Sequence, residues 1–428
     1  MTTAHYTMTD VTGGVWTEPA DDQQIQAQLD AMGSDSPTEA PTVAVKANIG
    51  VAEFARSAGS KVLEADRPTV DAPVVAALKT AGYMVVGTTN MHELAFGITS
   101  ENADYGPVRL PGHADRSAGG SSGGSAVAVA EGSADIALGT DTGGSVSIPA
   151  SHCGVYGLRP TTGRWPGAEI TGLSWTRDTA GVFANSLNQL GAVDTIITGQ
   201  PETAVSQQRP RLGVPTQLVS ALDPHTEQAV QRALAVLEHN ATIVEIDYAP
   251  ILELTAPAEM SVVLWESRRL LASAAANVFN MSPQAGLTYL AESVGSDDVS
   301  SLLQAELADP VSAEAYAAAQ RSTMHARTTY NRLLTDHQLD ALVFPATPAP
   351  APLLGSDGLV EHLGEPTPIF PLYTRNTGQG TMLGAPMVTI PLPVDAHELP
   401  VGLTLQGSRF GDRELLSTAT TVDRCCAG

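Results

Sequence analysis

The chain has 428 residues, 43% hydrophobic and 16% charged, with mean hydropathy near zero, the profile of a globular protein with ample core. A net charge of −24 repels nucleic acid and anionic membranes, and no apolar run approaches the roughly 18 residues that span a bilayer. Three cysteines, Cys153, Cys425 and Cys426, make neither a disulfide framework nor a zinc site, and no paired-histidine spacing suggests another metal, so no cofactor is expected.

The start, Met1-Thr2-Thr3-Ala4-His5, lacks the basic and apolar character of a signal peptide, and a cytoplasmic location is expected. Residues 42–50 then form an apolar run that reads as a buried strand, with Lys46 inside it. Lysine is scarce, three residues against 19 arginines, and Lys61 and Lys79 lie among polar neighbours as solvated side chains. An ammonium in a buried strand must be paired or lose its proton. Asp71 is placed to cap a helix with Pro73 in its first turn and Gly82 at its end, and 83–86 reads as a buried strand. The run Gly119-Gly120-Ser121-Ser122-Gly123-Gly124-Ser125 opens a helix of small residues over 125–131. A strand at 134–138 leads straight into Gly139-Thr140-Asp141-Thr142-Gly143-Gly144-Ser145.

Helices are expected over 226–239, 258–279 and 313–334, and strands return at 341–344, 386–392 and 401–405. The proline-rich stretch 345–371 reads as an ordered or mobile surface loop near a site. The pair Cys425-Cys426 reads as a frayed tail. Alternating helices and short apolar strands argue an α/β protein on one large central sheet, a single domain over 1–428 with a core motif region at about 40–190 and a helical middle at about 220–340.

Ser145 follows two glycines at a strand exit, where consecutive amides can point at one spot and form an oxyanion hole, one donor being worth about 3 kcal/mol of barrier. Spacing alone leaves a simple strand-end turn open there. Ser121 formally matches the G-x-S-x-G elbow, but an elbow needs a strand just before it, and 111–117 does not read as one. A Walker phosphate loop fails for want of a following lysine. His92 and His152 are the alternative bases nearest these runs, with His152 the more natural structural histidine. Trp165 and Trp175 flank a glycine-bearing loop and read as packing residues rather than as pocket walls.

Together these residues resemble the amidase signature family. Both glycine-rich runs match, the second continuing as Val146-Ser147-Ile148-Pro149-Ala150. Ser145 lies 24 positions after Ser121 and 99 after Lys46, separations familiar in that family. The resemblance is strongest over about 40–190 and returns at 340–348 and 384–407. It implies a large central mixed β-sheet flanked by helices (α/β/α) and a Ser–cis-Ser–Lys triad with Ser145 as nucleophile, Ser121 as bridging serine and Lys46 as base. The amides of Thr142, Gly143, Gly144 and Ser145 would receive the oxyanion, and Ser122 would support the network. As base, Lys46 must be neutral at working pH, a pKa lowered by about three units at a cost of roughly 4 kcal/mol. Two positions depart from the family: Ala47 replaces the usual Asp after the lysine, and Ser147 replaces the usual Arg two residues past the nucleophile.

The segments Asn90-Met91-His92-Glu93-Leu94-Ala95-Phe96-Gly97-Ile98, 157–166 and 176–181 are similar to the mandelamide and indoleacetamide hydrolase branch, which implies small neutral, aryl-substituted amides as substrates and an acyl pocket bordered by Ala95, Phe96, Gly97 and Ile98. Esters and carbamates are expected as side substrates, and a homodimer is left open. Three competing readings stand beside this one: the amidase subunit of a glutamine-dependent amidotransferase, a non-enzymatic scaffold on the same fold, and a Ser-His-Asp hydrolase.

Overall fold

Strand Thr42–Lys46 is buried at every position, and its residues divide between two apolar layers. Val43 and Val45 join one core with Val85, Ile136 and Leu138, whereas Ala44 joins the other with Met84, Val86 and Ala137. That alternation is the two-residue period of a strand covered on both faces. The computed structural model describes residues 13–33, 40–201, 208–395 and 397–427. The Met1 to His5 segment read above for targeting lies outside them.

The sheet has 11 strands, ordered from edge to edge as Trp16–Pro19, Met84–Thr89, Thr42–Lys46, Ile136–Asp141, Thr179–Ala184, Tyr156–Arg159, Met387–Pro391, Gly402–Gln406, Ala341–Pro345, Arg211–Pro215 and Thr242–Ile246. It is mixed: Thr42–Lys46 runs parallel to both its neighbours, and Ile136–Asp141 pairs antiparallel with Thr179–Ala184. The expected α/β class with one large helix-flanked sheet is what forms. Helix Gly123–Ala130, buried over Gly123–Val129, lies on the Ala44 side of the sheet, where only small residues allow such close approach.

A third core gathers Leu173, Val263, Leu271, Leu287, Leu290 and Leu303 beside the sheet. Helices Glu259–Phe279, Pro283–Ser293 and Asp297–Ala308 supply most of it. The second and third of these fall in the helical middle expected at about 220–340, although neither was expected as an individual helix.

Four local expectations are corrected. Asp71 does not cap helix Pro73–Thr80; its carboxylate accepts from the Ala52 amide at 2.9 Å and from Lys79 at 2.8 Å, so Lys79 is ion-paired rather than simply solvated. Residues His113–Ser117 do form a strand, a two-stranded ribbon with Arg109–Leu110 outside the main sheet, because a largely exposed ribbon needs no apolar run. Cys425 and Cys426 end helix Asp412–Ala427 and pack against the first core instead of fraying. The 345–371 stretch carries a hairpin, Leu359–His362 with Glu365–Pro368, and runs into helix Ile369–Thr374.

Candidate active site

Parallel pairing of Thr42–Lys46 with Ile136–Asp141 brings Lys46 and Thr140 out at the same carboxyl edge of the sheet, the usual place for a site in α/β folds. Lys46 is fully buried. Its Nζ donates to Ser121 Oγ at 2.7 Å and to Thr140 Oγ1 at 2.9 Å. Asn48 Nδ2 braces Thr140 Oγ1 at 3.1 Å. Ser121 precedes helix Gly123–Ala130 across a cis Gly120–Ser121 peptide, and its carbonyl accepts from the His92 amide at 3.1 Å and Ser100 Oγ at 3.3 Å. A Cβ on Gly120 would sit 2.8 Å from Ser100 Oγ, so that contact requires glycine. Ser122 Oγ donates to the Thr140 carbonyl at 3.1 Å, tying the helix start to the strand end.

The loop after the strand is organised by Asp141, buried at the strand terminus. Its carboxylate accepts from the Gly144 amide at 3.0 Å, the Val146 amide at 2.8 Å and Arg159 Nε at 3.2 Å. Thr142 Oγ1 donates to Asp178 at 2.6 Å, and Thr377 Oγ1 donates to the Gly143 carbonyl at 2.8 Å. Among the described residues the amides of Thr142, Gly143 and Ser145 donate to no other group, whereas that of Gly144 is engaged by Asp141. Gly144 has φ 125°, and a Cβ there would meet the Thr377 side chain. Ser145 is 7% exposed and opens onto a cavity of about 750 Å³. Its hydroxyl carries no hydrogen bond to another described side chain, so the Lys46–Ser121 link is formed and a Ser121–Ser145 link is not.

Burial drives the Lys46 ammonium from 10.5 down to about 7, against the opposing pull of the Asp141 and Asp178 carboxylates. Burial likewise raises Asp178 from 3.8 to about 6, although the Thr142 hydroxyl, the Ser174 and Leu173 amides and Arg177 all favour its charged form. The site therefore sets a lysine near neutrality inside a shell of hydroxyls, with donors facing an adjacent cavity.

Ala95, Phe96, Gly97 and Ile98 line that cavity, and Leu173, Val263 and Phe370 add apolar surface. His92 lines it too, but its ring bonds Asp298 Oδ2 at 2.9 Å and approaches Thr99 Oγ1 at 3.4 Å, with no serine hydroxyl. His152 is fully buried edge-on to Tyr373, and burial holds it down to about 3. Neither ring is placed as base for Ser145. Trp165 is buried with Nε1 donating to Asp194 at 2.9 Å, Trp175 is 49% exposed, and neither lines the cavity.

Ala47 is buried with its amide on the Thr89 carbonyl at 3.1 Å, and Ser147 is buried at the start of helix Ser147–Cys153. The guanidinium beside the glycine loop comes instead from Arg177: a Cβ on Gly143 would lie 3.9 Å from its Nη2. Arg177 is 2% exposed and pairs with Glu259 and Thr381 Oγ1, each at 2.7 Å. Sequence reasoning gave no role to Arg177, Asp178 or Asp141. A buried aspartate at a strand end before two glycines is a signal that could have found Asp141. Glu259 and Asp298 lie more than 80 residues beyond that motif and carried none.

Comparison with known proteins adds family evidence to this geometry. The family model described as Amidase matches residues 20–416. An indoleacetamide hydrolase of Allorhizobium ampelinum is 34% identical over 385 residues, covering 88% of this chain and 82% of that protein. A mandelamide hydrolase of Pseudomonas putida is 35% identical over 416 residues, covering 92% and 80%. The solved peptide amidase of Stenotrophomonas maltophilia superposes with a TM-score of 0.78 at 27% identity, covering 98% of this chain and 90% of that one.

Proposed function

The chain belongs to the amidase family and is a hydrolase of carbon–nitrogen bonds, and from that premise we propose that it cleaves small neutral amides, aryl-substituted primary amides among them, through an acyl-enzyme on Ser145. The observation that carries this reading is Lys46 Nζ 2.7 Å from Ser121 Oγ in a fully buried site that holds the lysine near pH 7.

Neutral Lys46 takes a proton from Ser121 as Ser121 takes one from Ser145, and Ser145 Oγ attacks the amide carbonyl. Substrate binding brings Ser121 and Ser145 within hydrogen-bond reach, as catalytic contacts commonly tighten only in the complex. The tetrahedral oxyanion is received by the unengaged amides of Thr142, Gly143 and Ser145. In this role the Gly144 amide serves differently from the others: bonded to Asp141, it fixes the loop's curvature. Ser121 returns a proton to the leaving nitrogen, ammonia or amine departs, and water reverses the relay to release the carboxylate. Esters and carbamates present the same carbonyl and enter as side substrates.

Ammonia release from matched aliphatic and aryl primary amides tests the proposal. Aryl amides should turn over, and Ser145→Ala should lower kcat about 10³-fold or more. A Ser145→Ala protein that keeps the wild-type rate sinks it.

A further inference from the structure

The wall of the cavity is rich in acceptors, and among the described residues most of its side-chain N–H groups are already engaged. Three residues bring such donors to it: His92, Asn102 and Arg177. His92 Nε2 faces Asp298 at 2.9 Å and Nδ1 faces Thr99 Oγ1 at 3.4 Å, so in either charge state the ring has no N–H to spare. Asn102 Nδ2 spends both hydrogens on the Gly59 and Met91 carbonyls, at 2.7 and 2.8 Å. Arg177 gives both Nη2 hydrogens to Glu259 Oε1 and Thr381 Oγ1 and one Nη1 hydrogen to the Glu259 carbonyl, and its unpartnered Nε is closed off from solvent, so a single Nη1 hydrogen is left over. The amides of Gly295 and Ser296, before helix Asp297–Ala308, are taken by Glu93 at 3.2 and 2.7 Å.

Against that single guanidinium the wall sets five carboxylates, those of Glu101, Glu259, Asp297, Asp298 and Asp357. Asp298 is the best placed to meet a ligand. Its Oδ2 takes the His92 ring, its Oδ1 takes the Val299 amide at 2.9 Å, and the side chain is still 61% exposed, so acceptor lone pairs remain. His92, 3% exposed, holds that carboxylate firmly in place, while its own amide grips the Ser121 carbonyl at 3.1 Å. A Cβ on Gly97 would run into the His92 ring, so glycine there is what lets the ring lie in the wall.

We propose that the Asp298 carboxylate, oriented by His92, is a specificity-determining group that favours acyl groups bearing a hydrogen-bond donor remote from the carboxamide, such as a hydroxyl, an amine or a ring N–H, and rejects acyl groups bearing a carboxylate. The inference rests on the amidase reading for its substrate class, and on donor and acceptor accounting for the preference.

The test compares phenylacetamide with its 4-hydroxy, 4-aminomethyl and 4-carboxy derivatives. In the wild type, kcat/KM should rise about tenfold for the two donors and fall about 100-fold for the carboxylate, chiefly through KM, as expected for contacts to an ionised acceptor. Asp298→Ala should bring the donor-to-parent ratio near one, and Asp298→Asn should relax rejection of the carboxylate about tenfold. Equal use of the 4-carboxy amide by the wild type, or a donor preference that survives Asp298→Ala, overturns the proposal. Calorimetric binding of the four amides to Ser145→Ala protein reads the same preference without turnover. The same order of Kd values supports the wall's role even if no amide is hydrolysed, a result that would sink the amidase reading alone; Kd values without that order overturn the wall's role.

Discussion

Replacing Lys46 with Met separates the two consequences of burying a lysine. In the folded protein Lys46 titrates near 7, against 10.5 for an exposed lysine. The unfolded chain therefore holds one more proton than the folded chain between those values, and stability must rise with pH across that window. Below about 7 both states are protonated and the full penalty, about 5 kcal/mol, is present. Lys46→Met removes the titration. Urea unfolding of both proteins at pH 7.5 and 9.5 should show the wild type gaining about 3 kcal/mol on the variant over those two units, with ionisations remote from Lys46 cancelling in the difference. Activity should follow the same group in the opposite sense of need: wild-type kcat/KM falls about tenfold per unit below pH 7 as the base protonates, and Lys46→Met loses about 10³-fold or more at every pH. A stability difference that does not change with pH, or a variant with near-wild-type turnover, refutes the reasoning.

Three further outcomes concern Asp178, Glu266 and Gly144. Asp178→Asn removes a negative charge that raises the Lys46 pKa, so the acid limb of kcat/KM should move to lower pH, while the altered support for Thr142 should lower kcat about tenfold with KM little changed; a pH–rate titration reads both. Glu266 is fully buried and accepts from Ser174 Oγ, the Thr176 amide and hydroxyl, and Tyr316, so Glu266→Ala should cost about 3 kcal/mol in urea unfolding and Glu266→Gln clearly less. Gly144→Ala must force a side chain into the Thr377 contact at a φ that disfavours it, and should lower kcat at least about 100-fold in a protein whose circular dichroism is unchanged.

What was legible in the sequence was local or strictly spaced. The burial of Lys46 follows from its apolar neighbours, and the two glycine-rich runs carry the resemblance to the amidase signature family that singles out Ser121 and Ser145. The strands at 83–86 and 341–344, too, announce themselves by unbroken apolar runs, whereas Tyr156–Arg159 and Thr179–Ala184 at the centre of the sheet, interrupted by glycine, gave no such signal. The helices Pro283–Ser293 and Asp297–Ala308 did not announce themselves either, because each is short and buries only three or four residues, against helix Glu259–Phe279 and each other. The wall that includes Asp298 and Glu259 was invisible for another reason: a carboxylate gains meaning only from the His92 or Arg177 that folding sets beside it. Polar alternation hid the strand His113–Ser117, which has little core to bury. The absent arginine at position 147 looked like a gap, whereas the fold brings Arg177 to the glycine loop from another segment.

Labelling with a fluorophosphonate followed by peptide mapping tests the relay most directly, since it reports which hydroxyl is nucleophilic without any choice of substrate. The account predicts a single adduct on Ser145, formed readily by the wild type, slowed by orders of magnitude in Lys46→Met and absent from Ser145→Ala. An unlabelled wild-type protein, or an adduct on any other residue, contradicts it.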